Sequence, residues 1–87
     1  MSIYTTYVLY CESFDKIYIG YTSNLEQRLL SHNQLATKGY TIKFRPWRIV
    51  HQETFQTKQE AMLREKQLKS AHGRQHIREM IKELKRP

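Results

Sequence analysis

Two runs rich in β-branched and aromatic residues, YTTYVLY at 4–10 and IYIGY at 17–21, are separated only by the polar stretch CESFDK. Such runs favour strands, and so short a connection lets them pair as a hairpin. That hairpin is the frame on which everything downstream must pack. In its second strand Ile17, Ile19 and Tyr21 alternate with Tyr18 and Gly20. A glycine inside a strand signals a bulge or a close approach of backbone.

The next segment, SNLE at 23–26, fits a capping box with Ser23 as N-cap and Glu26 three residues on. A helix from about Asn24 to Gln34 is expected, with Leu25 and Leu29 on its inner face and Leu30 beside them. Arg28 and His32 stand four apart and share one face. ATKGYTIKFR at 36–45 reads as a loop in which basic residues alternate with Tyr40 and Phe44, ended by Pro46. WRIVHQETF at 47–55 reads as a third strand, with either face a candidate for the inside. TKQE at 57–60 is a second capping box. Its helix is expected to run to about Ala71 and stop at Gly73 as a C′ residue. A last helix, about Arg74 to Leu84, would place Ile77, Met80, Ile81 and Leu84 on one stripe. The order β-β-α-β-α-α is α+β, with no repeat, linker or low-complexity segment, so one domain over residues 1–87 is expected.

The mean hydropathy is −0.74, and no apolar run approaches the roughly 20 residues needed to cross a bilayer. MSIYTTYVLYCESF has no basic residue before its apolar run and no small-residue cleavage site, which argues against a secretory signal. Cys11, the single cysteine, has no partner for an internal disulfide and reads as the reduced thiol of a cytoplasmic protein. The net charge of +7 is unevenly spread. Residues 1–37 hold two basic against three acidic side chains, whereas residues 56–87 hold nine against four. A one-sided basic surface suits a polyanion, of which nucleic acid is the commonest.

One residue breaks the apolar pattern. Ala61, Glu65 and Leu68 are spaced i, i+4, i+7, so Glu65 lies on or beside the face to be buried. An unpaired buried carboxylate costs several kcal/mol. Glu65 therefore either pairs with a cation such as Arg28, Arg64 or Lys66, or faces a cleft as the ligand of a metal. One carboxylate with several waters is a normal Mg²⁺ arrangement when substrate phosphate completes the shell. Taken singly, Tyr7 and Tyr18 read as core aromatics, and Arg28 and His32 as surface helix residues. Taken together with Glu65 they form an inventory for phosphodiester hydrolysis: groups to activate water, a cation for the charge developing on phosphate, and a place for a metal. Other chemistry is unsupported. There is no GxGxxG or Walker loop, and four scattered histidines with one cysteine give no zinc spacing. His72 and His76 straddle Gly73 and are not expected to share a regular helix face.

These residues resemble the GIY-YIG nuclease superfamily. Its second triplet stands intact as Tyr18-Ile19-Gly20, and its first survives as Thr5-Thr6-Tyr7 with the tyrosine kept. NLEQRLLSH looks like the family's helix, with Arg28 and His32. EAMLREKQLK at 60–69 looks like the segment bearing its metal-binding glutamate, here Glu65. The likeness covers roughly residues 4–82 and is greatest to the small stand-alone bacterial members. It implies a three-stranded antiparallel sheet flanked by helices and metal-dependent cleavage of DNA by an endonuclease. One Mg²⁺ or Mn²⁺ ion would be held by Glu65, with Tyr7 and Tyr18 at the scissile phosphate. One tyrosine, Tyr18 by preference, would help activate water, once a nearby metal or Arg28 lowers its pKa from near 10. Arg28 would neutralise the phosphate, and His32 would hold a tyrosine hydroxyl or assist proton transfer. Some members carry an asparagine near the C-terminus; none follows Asn33 here, leaving Gln67, Gln75 or His76 for that place. DNA binding through phosphates, with little sequence preference, is expected from Lys38, Lys43, Arg45, Lys66, Lys69 and Arg74, with Tyr40 or Phe44 free to stack on a base. The competing readings are a nucleic-acid-binding module without catalysis and a subunit that needs a partner protein.

Overall fold

The computed structural model describes residues 3–35 and 39–85; Lys38 lies outside them. Strand β1, Tyr4–Cys11, pairs antiparallel with β2, Lys16–Thr22, on one side and with β3, Arg48–Phe55, on the other, giving the order β2-β1-β3. Residues Thr6 to Cys11 of the central strand are all buried, because both faces of the sheet are covered. On one face Val8, Tyr10, Ile17 and Ile19 pack against Leu68 of α2, Lys58–Lys69, and against Ile77 and Ile81 of α3, Ala71–Leu84. Helix α2 comes in closely through the small Ala61, whose carbonyl accepts a 2.8 Å hydrogen bond from the buried Thr6 hydroxyl. On the other face Tyr7, Leu9, Cys11 and Trp47 form a second core with Leu25 and Leu29 of α1, Leu25–Leu30. Burying a side chain of this size contributes about 1.5–3 kcal/mol, so the helices on both faces secure a sheet of only three strands.

The third strand does not present one uniform face. Val8 pairs with His51 but Leu9 with Ile49, so Val50 is an extra residue in a bulge. Ile49 packs with Leu9, whereas Val50 packs on the α2–α3 side. Glu53 also faces α2, accepting 2.8 Å bonds from both Arg64 and His51. Burial opposes its ionisation, but those two partners outweigh burial and hold its carboxyl below the usual range.

Several helix ends differ from the sequence expectation. The cap of α1 is Asn24, whose side chain accepts from the Gln27 amide at 3.1 Å. Ser23 is displaced into the turn because the Thr22 hydroxyl already binds the Asn24 amide. Beyond Leu30 the helix widens into a π turn, Ser31–Leu35, instead of continuing regularly to Gln34. The second cap falls at Thr57 as read, but Glu60 closes it through the hydroxyl: Thr57 Oγ1 accepts from the Glu60 amide and donates to the Glu60 carboxylate. That helix breaks at Ser70, not Gly73. The Ser70 hydroxyl donates to the Gln67 carbonyl at 2.6 Å, closing α2, and accepts from the Gly73 amide at 3.1 Å, opening α3. Gly73 thus lies in the first turn of α3, where a Cβ would collide with the carbonyl oxygens of Gln67 and Leu68. His72 and His76 consequently share one helix, both exposed. Leu84 drops out of the α3 stripe and is exposed, while Met80 is half-buried.

Candidate active site

Register brings the two tyrosines together. Tyr7 stands opposite Gly20, and a Cβ on Gly20 would lie 2.8 Å from the Tyr7 hydroxyl and 3.1 Å from the Tyr18 ring. The close approach expected at Gly20 is therefore made by side chains, not backbone. The missing Cβ lets the Tyr7 ring lie across β2 toward the free edge of the sheet. There a cleft of about 330 Å³ is lined by Tyr7, Tyr18, Gly20, Arg28, Glu65 and Lys69, among others.

Glu65 reaches this cleft from α2, at the margin of the buried face, with its side chain 20% exposed. It also has a cation partner: Lys69 Nζ lies 2.9 Å from Oε1, one helical turn on. The odd glutamate thus both pairs and faces a cleft. Among the described residues no three His, Cys, Asp or Glu side chains gather around a common point. A lone hard carboxylate does not suit zinc, which takes three or four protein ligands. It suits Mg²⁺, which keeps its waters and borrows phosphate oxygens; an ion bound at Oε1 would displace Lys69 from it.

Tyr7 is 1% exposed, and its hydroxyl has a partner in the interior. Nε2 of the buried His32 lies 3.0 Å away, and the Arg28 guanidinium is near enough to oppose the rise of the Tyr7 pKa. In the tautomer whose Nε2 carries the lone pair, the Tyr7 hydroxyl donates to His32. In that same tautomer Nδ1–H donates to Thr41 Oγ1, 3.0 Å away. Burial, with the charges of Arg28 and Arg45 adding, pushes the His32 pKa below 6.5 and keeps the ring neutral. Tyr7 is pushed up to about 12, chiefly by burial; Arg28 opposes this, and Tyr18 and Glu65 add to it. A lowered tyrosine pKa was expected from Arg28; at Tyr7 it pulls in that direction but burial wins. Tyr18, half-buried, packs its ring 4.7 Å from that of His32.

The π turn that carries His32 is fastened from outside the helix. Asn33 Nδ2 donates to the Trp47 carbonyl at 3.0 Å, and Trp47 N donates to Asn33 Oδ1 at 2.6 Å. Trp47 Nε1 donates to the Thr41 carbonyl at 2.8 Å, and Arg45 Nε donates to the His32 carbonyl at 2.7 Å. Arg45 thus holds the turn rather than lying open to solvent. Thr41, on a short 3₁₀ turn at Tyr40–Lys43, is the functional neighbour that sequence reasoning did not single out. Its partner lies nine residues away across an irregular connection, and no periodicity links them. The Lys69 contact with Glu65 did have a signal in its i, i+4 spacing.

Of the other basic candidates, Lys69 lines two clefts and Arg74 one. Lys43 and Lys66 are exposed and line none of the clefts described. Gln67, Gln75 and His76 also stand away from the cleft, and Gln67 accepts from Arg64 instead.

Two tyrosines crossing over a strand glycine, an arginine and histidine from one helix, and a glutamate from the opposite face together define a nuclease-type domain. The chain belongs to the GIY-YIG catalytic domain family, whose model matches residues 3–78. It is 39% identical over 83 residues to a UPF0213 protein of Staphylococcus haemolyticus, covering 95% of this chain and 99% of that one. To a UPF0213 protein of Bacillus velezensis it is 42% identical over 76 residues, covering 84% and 76%. The solution NMR structure of a UPF0213 protein from Bacillus halodurans has a similar fold, with a TM-score of 0.53 and 28% identity over 90% of this chain and 84% of that one. Among the described residues no helix is long and apolar enough to cross a membrane.

Proposed function

We propose that the protein is a divalent-metal-dependent DNA endonuclease, directed by structure or damage more than by sequence, with Tyr7, Tyr18, Arg28, His32 and Glu65 as its site. The observation that carries the reading is the Tyr7 hydroxyl, 3.0 Å from His32 Nε2, lining one cleft together with Tyr18, Arg28 and Glu65. With a pKa of about 12, only roughly one Tyr7 in 10⁵ would be phenolate at pH 7. A standing phenolate is therefore a poor base. A relay is better: the Tyr7 oxygen takes a proton from the attacking water while handing its own to His32 Nε2, so no full charge rests on the buried phenol. This favours Tyr7 over Tyr18 as the group next to the water. With Thr41 Oγ1 accepting from Nδ1–H, Nε2 is open to receive that proton. Arg28 faces the developing phosphate charge, an interaction worth several kcal/mol in a preorganised site. A divalent ion held by Glu65 would add positive charge at the phosphate oxygens.

The test compares wild type with Glu65→Gln and Arg28→Ala on labelled duplex, single-stranded and branched DNA, with Mg²⁺ or Mn²⁺ and with chelator. Metal-dependent cutting that disappears in both folded variants is the expected result. Cutting that survives Glu65→Gln would overturn the assignment, and binding without cutting of any of the three would favour a non-catalytic module.

A further inference from the structure

A row of aromatic rings leaves the reaction cleft and runs toward solvent. Tyr18 stacks on Tyr40 at 6.5 Å and 25°, Tyr40 meets Phe44 at 5.1 Å, and Phe44 meets Phe14 at 5.4 Å. Tyr40 also touches Trp47 at 6.2 Å. A ring with three ring neighbours would ordinarily be buried, yet Tyr40 is 46% exposed and Phe14 53%. Two clefts adjoin Tyr40. One, of about 290 Å³, is lined by Ile17, Tyr18, Ile19 and Tyr40 together with Arg74 and Lys69, the last also paired with Glu65 at 2.9 Å. The second, of about 250 Å³, leads from Tyr40 back to Arg28 and His32. Lys16 Nζ lies 5.3 Å over the Phe44 ring, adding a cation farther along the row.

An aromatic face and two cations in one cleft, opening from the free edge of β2, match the two parts of an unpaired nucleotide. The base has a π face for Tyr40, and the phosphate has charge for Lys69 and Arg74. Bases inside a duplex keep their faces stacked on one another and cannot use such a wall without being extruded. We propose that the cleft lined by Tyr40, Lys69 and Arg74 is a subsite for unpaired nucleobases, so that the preferred DNA carries single-stranded nucleotides beside the scissile phosphate. The position of that phosphate rests on the nuclease reading above; the subsite itself does not.

The experiment is fluorescence anisotropy in chelator, where nothing is cut, using a mixed-sequence single strand, its duplex, and a strand of the same length with abasic spacers. Wild type should bind the single strand more tightly than either of the others. Tyr40→Leu fills much of the volume but lacks the π face. It should weaken single-strand binding about tenfold and change duplex and abasic binding by less than about twofold, while Tyr40→Phe should bind as wild type does. Equal losses on all three ligands, no loss on any, or a wild type that prefers duplex would overturn the subsite. Retained stacking preference in a chain that cuts no DNA with metal would overturn the nuclease reading alone.

Discussion

At the residue scale, the five candidate site residues could be picked out because each has a local reason to be where it is. Tyr7 and Tyr18 come from paired strands, Arg28 and His32 from i, i+4 spacing, and Glu65 from a break in an apolar stripe. The contact of Tyr7 with His32 was not legible, because the two are 25 residues apart in sequence. Thr41 was invisible for the same reason. The relay makes a pH prediction. His32 must be neutral to receive a proton, so cleavage should hold through neutral pH and fall as pH drops through the His32 pKa, which lies below 6.5. Stability follows the same sign. The folded-state pKa is lower than the unfolded one, so the neutral ring's contribution is fully present above pH 6.5 and is lost as pH falls through the folded value. Urea melts from pH 8 to 5 should show this loss, and His32→Gln should flatten it.

At the element scale, strand positions were read within about one residue, and the helix ends were not. Two polar residues in a row, Ser23 and Asn24, are near-equal caps, and the choice was made by the Thr22 hydroxyl at the end of β2. Gly73 looked like a helix stop, whereas the stop is a serine that closes one helix and opens the next. The π turn at Ser31–Leu35 had no sequence signature; Asn33, Arg45 and Trp47 impose it from the side. Such turns are frequent at functional positions, and this one carries His32. The cap assignment is checked by chemical denaturation: Asn24→Ala should cost about 1 kcal/mol, and Ser23→Ala should cost much less. The reverse order would restore the capping box to Ser23.

At the scale of the whole molecule, an unbroken run of Thr6 to Cys11 without polar alternation is what a strand covered on both faces requires, and β1 is that central strand. The two faces then meet at the free edge of β2, where α1 supplies Arg28 and α2 supplies Glu65 to one cleft. The class of fold was visible in the order of elements. The cleft was not, since it exists only once both layers are packed. In the proposed relay Tyr7 passes a proton between water and His32. The most direct measurement is single-turnover DNA cleavage by Tyr7→Phe, a change that keeps the buried ring and removes only the hydroxyl, with DNA affinity measured alongside. Loss of about 10²–10⁴-fold in rate with unchanged affinity, and a smaller loss in Tyr18→Phe, is the result this account predicts. Cleavage by Tyr7→Phe at the wild-type rate would contradict it.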